Sequence, residues 1–149
     1  QGYVPVTYDN LSRGHSDAVR WGPLIVGDIC DQETLVAALG AYRPVAVIHL
    51  AGLAYVGESV EDPGAYYVNN VAGTASLLGA MRRARIGNLV FSSSCATYGV
   101  AGTLPIREDS PQTPINPYGR TKLMAEQMIG EKYLRRWGIL VDDLQLFED

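Results

Sequence analysis

Short runs of β-branched and aromatic residues alternate along this chain with helix signals, and polar or small residues close the runs. Val4-Pro-Val-Thr-Tyr8 stops at Asp9-Asn10, Leu24-Ile-Val26 at Gly27-Asp28, and Leu89-Val-Phe91 at Ser92-Ser-Ser94. Val45 to Leu50 is an apolar run interrupted only by His49, the pattern expected of a strand buried on both faces. Between the runs, Asp31 predicts the N-cap of a helix through about Tyr42, with Leu35, Val36 and Leu39 on one face. Pro63 opens a long helix with apolar positions at Val68, Val71, Ala72, Ala75, Leu78 and Met81. Arg82, Arg83 and Arg85 suit its C-terminus. Pro117 is a favourable first helical residue for a further helix carrying Leu123, Met124, Gln127, Met128 and Tyr133. Ile139-Leu-Val141 predicts one more strand. Strand-helix alternation of this kind predicts a parallel α/β sheet with right-handed crossovers. Ligands of such sheets gather beyond the carboxyl ends of the strands, where the polar residues of this chain lie.

Composition narrows the function classes. The chain has 149 residues, 47% hydrophobic and 19% charged, with a formal net charge of -4, which predicts one globular domain. An acidic balance without a basic face argues against a nucleic-acid binder. The apolar stretch from Val45 to Gly57 is too short to span a membrane, which takes about 20 residues, and no secretory signal pattern opens the chain. Two scattered cysteines, Cys30 and Cys95, fit a cytoplasmic enzyme with reduced thiols. The two histidines have no carboxylate cluster beside them, so no metal site is expected. His49 reads as a packed strand residue, and Tyr66-Tyr67 as helix core.

The chemistry concentrates in Tyr118-Gly-Arg-Thr-Lys122. A spacing of four puts Tyr118 and Lys122 on one helix face. A free phenol is a poor base near neutrality, with a pKa of about 10. A neighbouring ammonium favours phenolate, so such a pair can act as a general base toward an alcohol. Upstream, Ser92-Ser-Ser94 closes a predicted strand, where a serine can hydrogen-bond a substrate oxygen. Ser, Tyr and Lys therefore fall in that order at one sheet edge.

With these residues in place the chain resembles the UDP-glucose 4-epimerases of the extended short-chain dehydrogenase/reductase superfamily. The resemblance is carried by Ser92-Ser-Ser-Cys-Ala-Thr-Tyr-Gly99, Pro105-Ile-Arg-Glu108 and Pro114-Ile-Asn-Pro-Tyr-Gly-Arg-Thr-Lys-Leu-Met-Ala-Glu126. Asp9-Asn-Leu-Ser12, Gly27-Asp-Ile29, Val47-Ile-His-Leu-Ala-Gly52, Val56-Gly-Glu-Ser59 and Tyr66-Tyr-Val-Asn-Asn-Val-Ala-Gly-Thr74 extend it. It implies a Rossmann-like doubly wound sheet, NAD as cofactor and a UDP-sugar as substrate. It implies catalytic Ser94, Tyr118 and Lys122, with Ser94 and Tyr118 also touching the substrate. It places the cofactor ribose at Asp9 and Asn10, with Leu11, Ser12, Arg13 and Gly14 continuing the loop. An acid at that position favours NAD over its 2′-phosphate. Asp28 and Ile29 match the adenine contacts, Leu50, Ala51, Gly52 and Leu53 the loop passing the pyrophosphate, and Asn69 a helix asparagine near the cofactor. Ser92, Tyr118 and Lys122 complete the cofactor set. The family also implies a homodimer.

The chain departs from that pattern at both ends. The family opens with a strand and G-x-x-G-x-x-G, whose helix N-terminus holds the pyrophosphate; no such motif occurs here. After Trp137-Gly-Ile-Leu140 the sequence Leu144-Gln-Leu-Phe-Glu-Asp149 does not match the family strand. The expectation is a partial nucleotide-binding domain over residues 1–149, without the substrate domain, and inactive alone. Ala54 replaces a lysine common in the family, which weakens one phosphate contact. Ser94-Cys95-Ala96 stands where nucleotide-sugar dehydratases carry T-D-E, which argues against water elimination. A UDP-pentose (xylose/arabinose) 4-epimerase and a non-catalytic remnant or partner subunit are the alternatives.

Overall fold

The structure, a computed structural model, describes residues 2–102 and 104–130, and the backbone of 140–144. Strands β1 (Thr7–Asp9) and β2 (Leu24–Val26) pair in parallel, Tyr8 opposite Ile25. Strands β3 (Val47–His49), β4 (Asn88–Ser92) and β5 (Leu140–Leu144) form a second parallel sheet in that order. His49 pairs with Phe91, and Ser92 with Leu144. Among the described residues no strand joins β1 to β3. This is the place of the central strand in a doubly wound sheet.

The helices form where the chain caps them. Asp31 accepts from the Thr34 amide and starts α1 (Gln32–Tyr42). After α2 (Val56–Glu61), Asp62 caps a continuous helical rod that begins at Pro63. The rod comprises α3 (Pro63–Tyr66), a π-helical segment (Tyr67–Ala72) and α4 (Gly73–Ala84). Asn116 accepts from the Gly119 amide and, with Pro117 at the first position, starts α5 (Pro117–Met128). The expected continuation to Tyr133 and the start of the last strand at Ile139 lie outside the described residues.

One cluster forms the core. Leu35 of α1, Leu77, Leu78 and Met81 of α4, and Ala125 of α5 with the following Ile129 pack on Leu89 and Phe91 of β4. Three expectations need correction. Strand β3 is buried on one face only: His49 is buried, but Ile48 is 62% exposed. The helices α1, α4 and α5 share the cluster on the His49 side, and no described residue covers Ile48. The face expected for the long helix is also displaced. Val68, Ala72 and Ala75 are exposed, whereas Tyr66, Asn70, Thr74, Leu77, Leu78 and Met81 point inward. Leu78 and Met81 are buried as expected, but the buried stripe also holds two polar residues, Asn70 and Thr74, so counting apolar positions misplaces it before Leu77. Of the tyrosine pair, Tyr66 is core and Tyr67 is exposed.

Candidate active site

The loop after β1 is shaped by its own side chains. Asp9 Oδ1 accepts the Leu11 amide at 2.7 Å and Asn10 Oδ1 the Ser12 amide at 3.0 Å, two successive turns of the kind Asp and Asn favour. Leu11 sits between them at φ 57°. Asn10 Nδ2 donates to Asp28 Oδ2 at 2.9 Å, and the Cys30 amide donates to Asp28 Oδ1 at 2.8 Å. These hydrogen bonds hold the Asp28 carboxyl below the usual carboxylate range, because they favour the charged form. Tyr8 donates to the Asp28 carbonyl at 2.9 Å. A Cβ on Gly27 would lie 2.4 Å from that Tyr8 oxygen, so glycine is needed there.

A cleft of about 260 Å³ opens at the carboxyl ends of β1 and β3. Asp9, Asn10, Ser12, Arg13 and Gly14 line one wall, Leu50, Ala51, Gly52, Leu53 and Asn69 the other, with Ile29 also lining it. Leu11 faces a neighbouring hollow with Asp9 and Gly14, and Asp28 stands behind Asn10. Arg13 pairs with Glu58 of α2 and lies 5.7 Å from the Tyr55 ring centre. Tyr66 shares its hydroxyl proton between the Tyr55 carbonyl, at 2.7 Å, and Glu58, at 3.0 Å.

Asn70 fixes the second wall. Its Oδ1 accepts the Leu53 amide at 2.8 Å, and its Nδ2 donates to the Leu53 carbonyl and to Thr121 Oγ1, both at 3.0 Å. Asn69 donates to the same Oδ1 at 2.9 Å. Asn70 was missed in the sequence, where an asparagine pair on a helix offers no sign of which member turns inward. The π-helical turn that carries both is a form often found at functional sites.

The cleft ends at the catalytic candidates. Lys122 is 6% exposed. Its Nζ donates to the Ser92 carbonyl at 2.9 Å and lies 6.0 Å from the Tyr118 ring centre. Burial pushes its pKa from 10.5 down to about 8, since desolvation penalises the ammonium. A Cβ on Gly52 would stand 3.2 Å from Nζ and 3.4 Å from Asn70 Oδ1, so the cleft wall comes close to the lysine at a glycine. Tyr118 is buried, edge-on to Tyr66 at 6.4 Å between ring centres. Ser94 Oγ accepts the Ala96 amide at 3.2 Å and caps a short 3₁₀ turn, Cys95–Thr97. A Cβ on Gly119 would lie 2.4 Å from the Ala96 carbonyl oxygen, so this glycine lets the serine turn rest on the first turn of α5.

His49 is a packed residue as expected. Its Nε2 lies 2.9 Å from Thr74 Oγ1, and that hydroxyl donates to the Asn70 carbonyl at 2.5 Å. The single hydroxyl proton is used there, so His49 Nε2 is the donor of the pair.

Parallel strands, a cleft at their carboxyl edge with an acid at the end of β1, and a buried Tyr-x-x-x-Lys pair define part of a Rossmann-like α/β fold. The chain belongs to the GDP-mannose 4,6 dehydratase family, whose model matches residues 7–148. It is 52% identical over 129 residues to a UDP-glucose 4-epimerase of Rhizobium meliloti (strain 1021), covering 87% of this chain and 39% of that protein. It is 44% identical over 137 residues to a putative UDP-arabinose 4-epimerase 4 of Arabidopsis thaliana, covering 85% and 31%. The crystal structure of UDP-glucose 4-epimerase from Brucella ovis in complex with NAD superposes with a TM-score of 0.96 at 59% identity, over 99% of this chain and 45% of that one. The chain thus spans less than half the length of these relatives.

Proposed function

We propose that this chain supplies the cofactor cleft and catalytic residues of an NAD-dependent UDP-glucose/UDP-galactose 4-epimerase. The observation that carries the reading is the closeness of the cleft wall to Lys122 at Gly52, where an added Cβ would lie 3.2 Å from Nζ. There the cleft that begins at Asp9 meets Lys122, one helical turn from Tyr118.

The residues fit NAD on its adenosine side. Asp9 would accept from the ribose hydroxyls, with Asn10, Leu11, Ser12, Arg13 and Gly14 around it. Asp28 and Ile29 would hold the adenine, and Leu50 to Leu53 with Asn69 would hold the pyrophosphate. Asp28 holds its place by fixing Asn10. Among the described residues no glycine-rich helix start enters the cleft, so the phosphates have only part of their usual cradle. NAD, when bound, supplies the hydride acceptor and donor for the sugar carbon. Tyr118 takes the proton of the 4-hydroxyl and later returns it. Lys122, held by the Ser92 carbonyl, presents its charge toward the Tyr118 ring. Ser94 hydrogen-bonds the substrate oxygen. The sugar is oxidised at C4, turns over, and is reduced on its other face. In this reading the protein is a cytoplasmic homodimer, and two exposed free cysteines, Cys30 and Cys95, accord with a reducing compartment.

A UDP-pentose 4-epimerase is the second reading, favoured by the identity to the Arabidopsis relative. Incubating the full-length protein with UDP-galactose and with UDP-xylose, and separating the products, decides between them. Formation of UDP-glucose supports the first. Conversion of UDP-xylose alone transfers the assignment to the second, and no conversion of either leaves a non-catalytic subunit.

A further inference from the structure

The cleft and the Ser-Tyr-Lys set leave a well-connected acidic residue of the catalytic helix unused. Glu126 lies one turn beyond Lys122 on α5, a spacing that places both on the same helix face. Ser93 donates its hydroxyl proton to Glu126 Oε1. Gln112 donates to Glu126 Oε2 at 2.6 Å, and the same amide reaches Thr97 Oγ1 at 3.2 Å. Thr97 donates in turn to the Ser94 carbonyl at 2.9 Å. Glu126 therefore grips the residue before Ser94 directly and the residue's own carbonyl through Gln112 and Thr97. Ser93 is itself buried between Ser92, whose carbonyl holds Lys122, and Ser94.

We propose that Glu126 is a positioning residue for the reaction: its carboxylate locks the Ser92–Ser94 strand end onto the catalytic helix and supplies the counter-charge to buried Lys122. The proposal rests on the catalytic roles assigned above to Ser94, Tyr118 and Lys122. Two jobs meet in one group. The tether sets where Ser94 stands relative to Tyr118. The charge opposes the burial that drives Lys122 toward its neutral form.

The groups facing Lys122 are few. Tyr118 and Glu126 come from its own helix, His49 from β3, and Phe91 and the Ser92 carbonyl from β4. Gly52 and Asn70 come from the cleft wall and the π-helical segment. His49 is neutral near pH 7, because burial and the charge of Lys122 both lower its pKa, to about 3. Of these groups Glu126 is the one that raises the lysine. The ammonium is present below the Lys122 pKa and is lost as pH rises through it. Removing the carboxylate charge must move that loss to lower pH.

The test uses the full-length protein with ¹³C-labelled lysine, the Lys122 signal being assigned by its loss in Lys122→Arg. Glu126→Gln keeps an oxygen for Ser93 but removes the charge. Its Lys122 titration is expected about one pH unit lower, with the alkaline limb of kcat moving by the same amount. An unshifted titration overturns the counter-charge. Ser93→Ala with Gln112→Ala keeps the charge and cuts the tether, and stays informative if Glu126→Gln fails to fold. It is expected to leave the titration in place while kcat falls by about tenfold or more, since a shift of about 1 Å in a reacting group costs on the order of 100-fold. Wild-type kcat in that double variant overturns the tether. Because the titration is read without turnover, absence of epimerase activity in the wild type would refute the function reading and leave the Glu126 counter-charge decided on its own evidence.

Discussion

At the scale of single residues, the site is built from charged and polar groups held out of water by specific partners. Lys122 keeps its ammonium against burial, and His49 does the reverse. Burial first, and the charge of Lys122 second, lower the His49 pKa from 6.5 to about 3. Between those values the unfolded chain binds a proton that the fold refuses. The contribution of His49 to stability is therefore constant above pH 6.5 and falls as pH drops below it, by about 1.4 kcal/mol per pH unit. In the full-length protein, the stability of the wild type relative to His49→Gln should decline between pH 7 and pH 5.5 by an amount on the order of 1 kcal/mol. A constant difference would show that His49 is not buried neutral. The spacing of Tyr118 and Lys122 made their shared helix face legible in the sequence, and the family resemblance singled out Ser94. Glu126 and Asn70 were not legible, because their importance lies in hydrogen bonds between segments far apart in the chain.

Elements explain the rest of what the sequence hid. The capped helices at Asp31 and Pro117 and all five strands were readable from local signals. The long helix was located and its buried Leu78 and Met81 were read, but its first half was read with the wrong positions inward, because the buried stripe there includes Asn70 and Thr74. Each is a polar residue satisfied by a partner on another element: the Leu53 backbone for Asn70 and His49 for Thr74. Periodicity of apolar residues has no access to such partners. Asn70 is 3% exposed, and Asn70→Ala would strand the Leu53 amide and carbonyl. Lost buried hydrogen bonds of this kind cost about 1–3 kcal/mol each. The variant should melt lower and bind NAD more weakly, because the Leu50–Leu53 wall loses its anchor. Equal melting and equal affinity in calorimetry would remove Asn70 from that role.

On the scale of the whole molecule, the two sheets and the exposed Ile48 face are the dominant facts. Among the described residues no strand is hydrogen-bonded between β1 and β3. Buried or paired backbone in that position would contribute several hydrogen bonds, against a total stability of only about 5–15 kcal/mol for a domain. A polypeptide of these 149 residues alone should therefore unfold without a sharp cooperative transition or should aggregate. A steep two-state melt with normal cooperativity would contradict this. The parallel α/β class was readable from strand-helix alternation, and the doubly wound architecture from the family resemblance. The one-sided burial of β3 was not, because an apolar strand looks the same whether one or both of its faces are covered.

The account turns on Tyr118 acting as the base beside a cofactor that lies in the cleft from Asp9 to Gly52. The most direct measurement is turnover of UDP-galactose by the full-length protein carrying Tyr118→Phe, alongside NAD binding by calorimetry. The account predicts a fall in kcat of about 100-fold or more, with NAD affinity little changed. Turnover equal to the wild type would remove Tyr118 from the chemistry and the proposed mechanism with it.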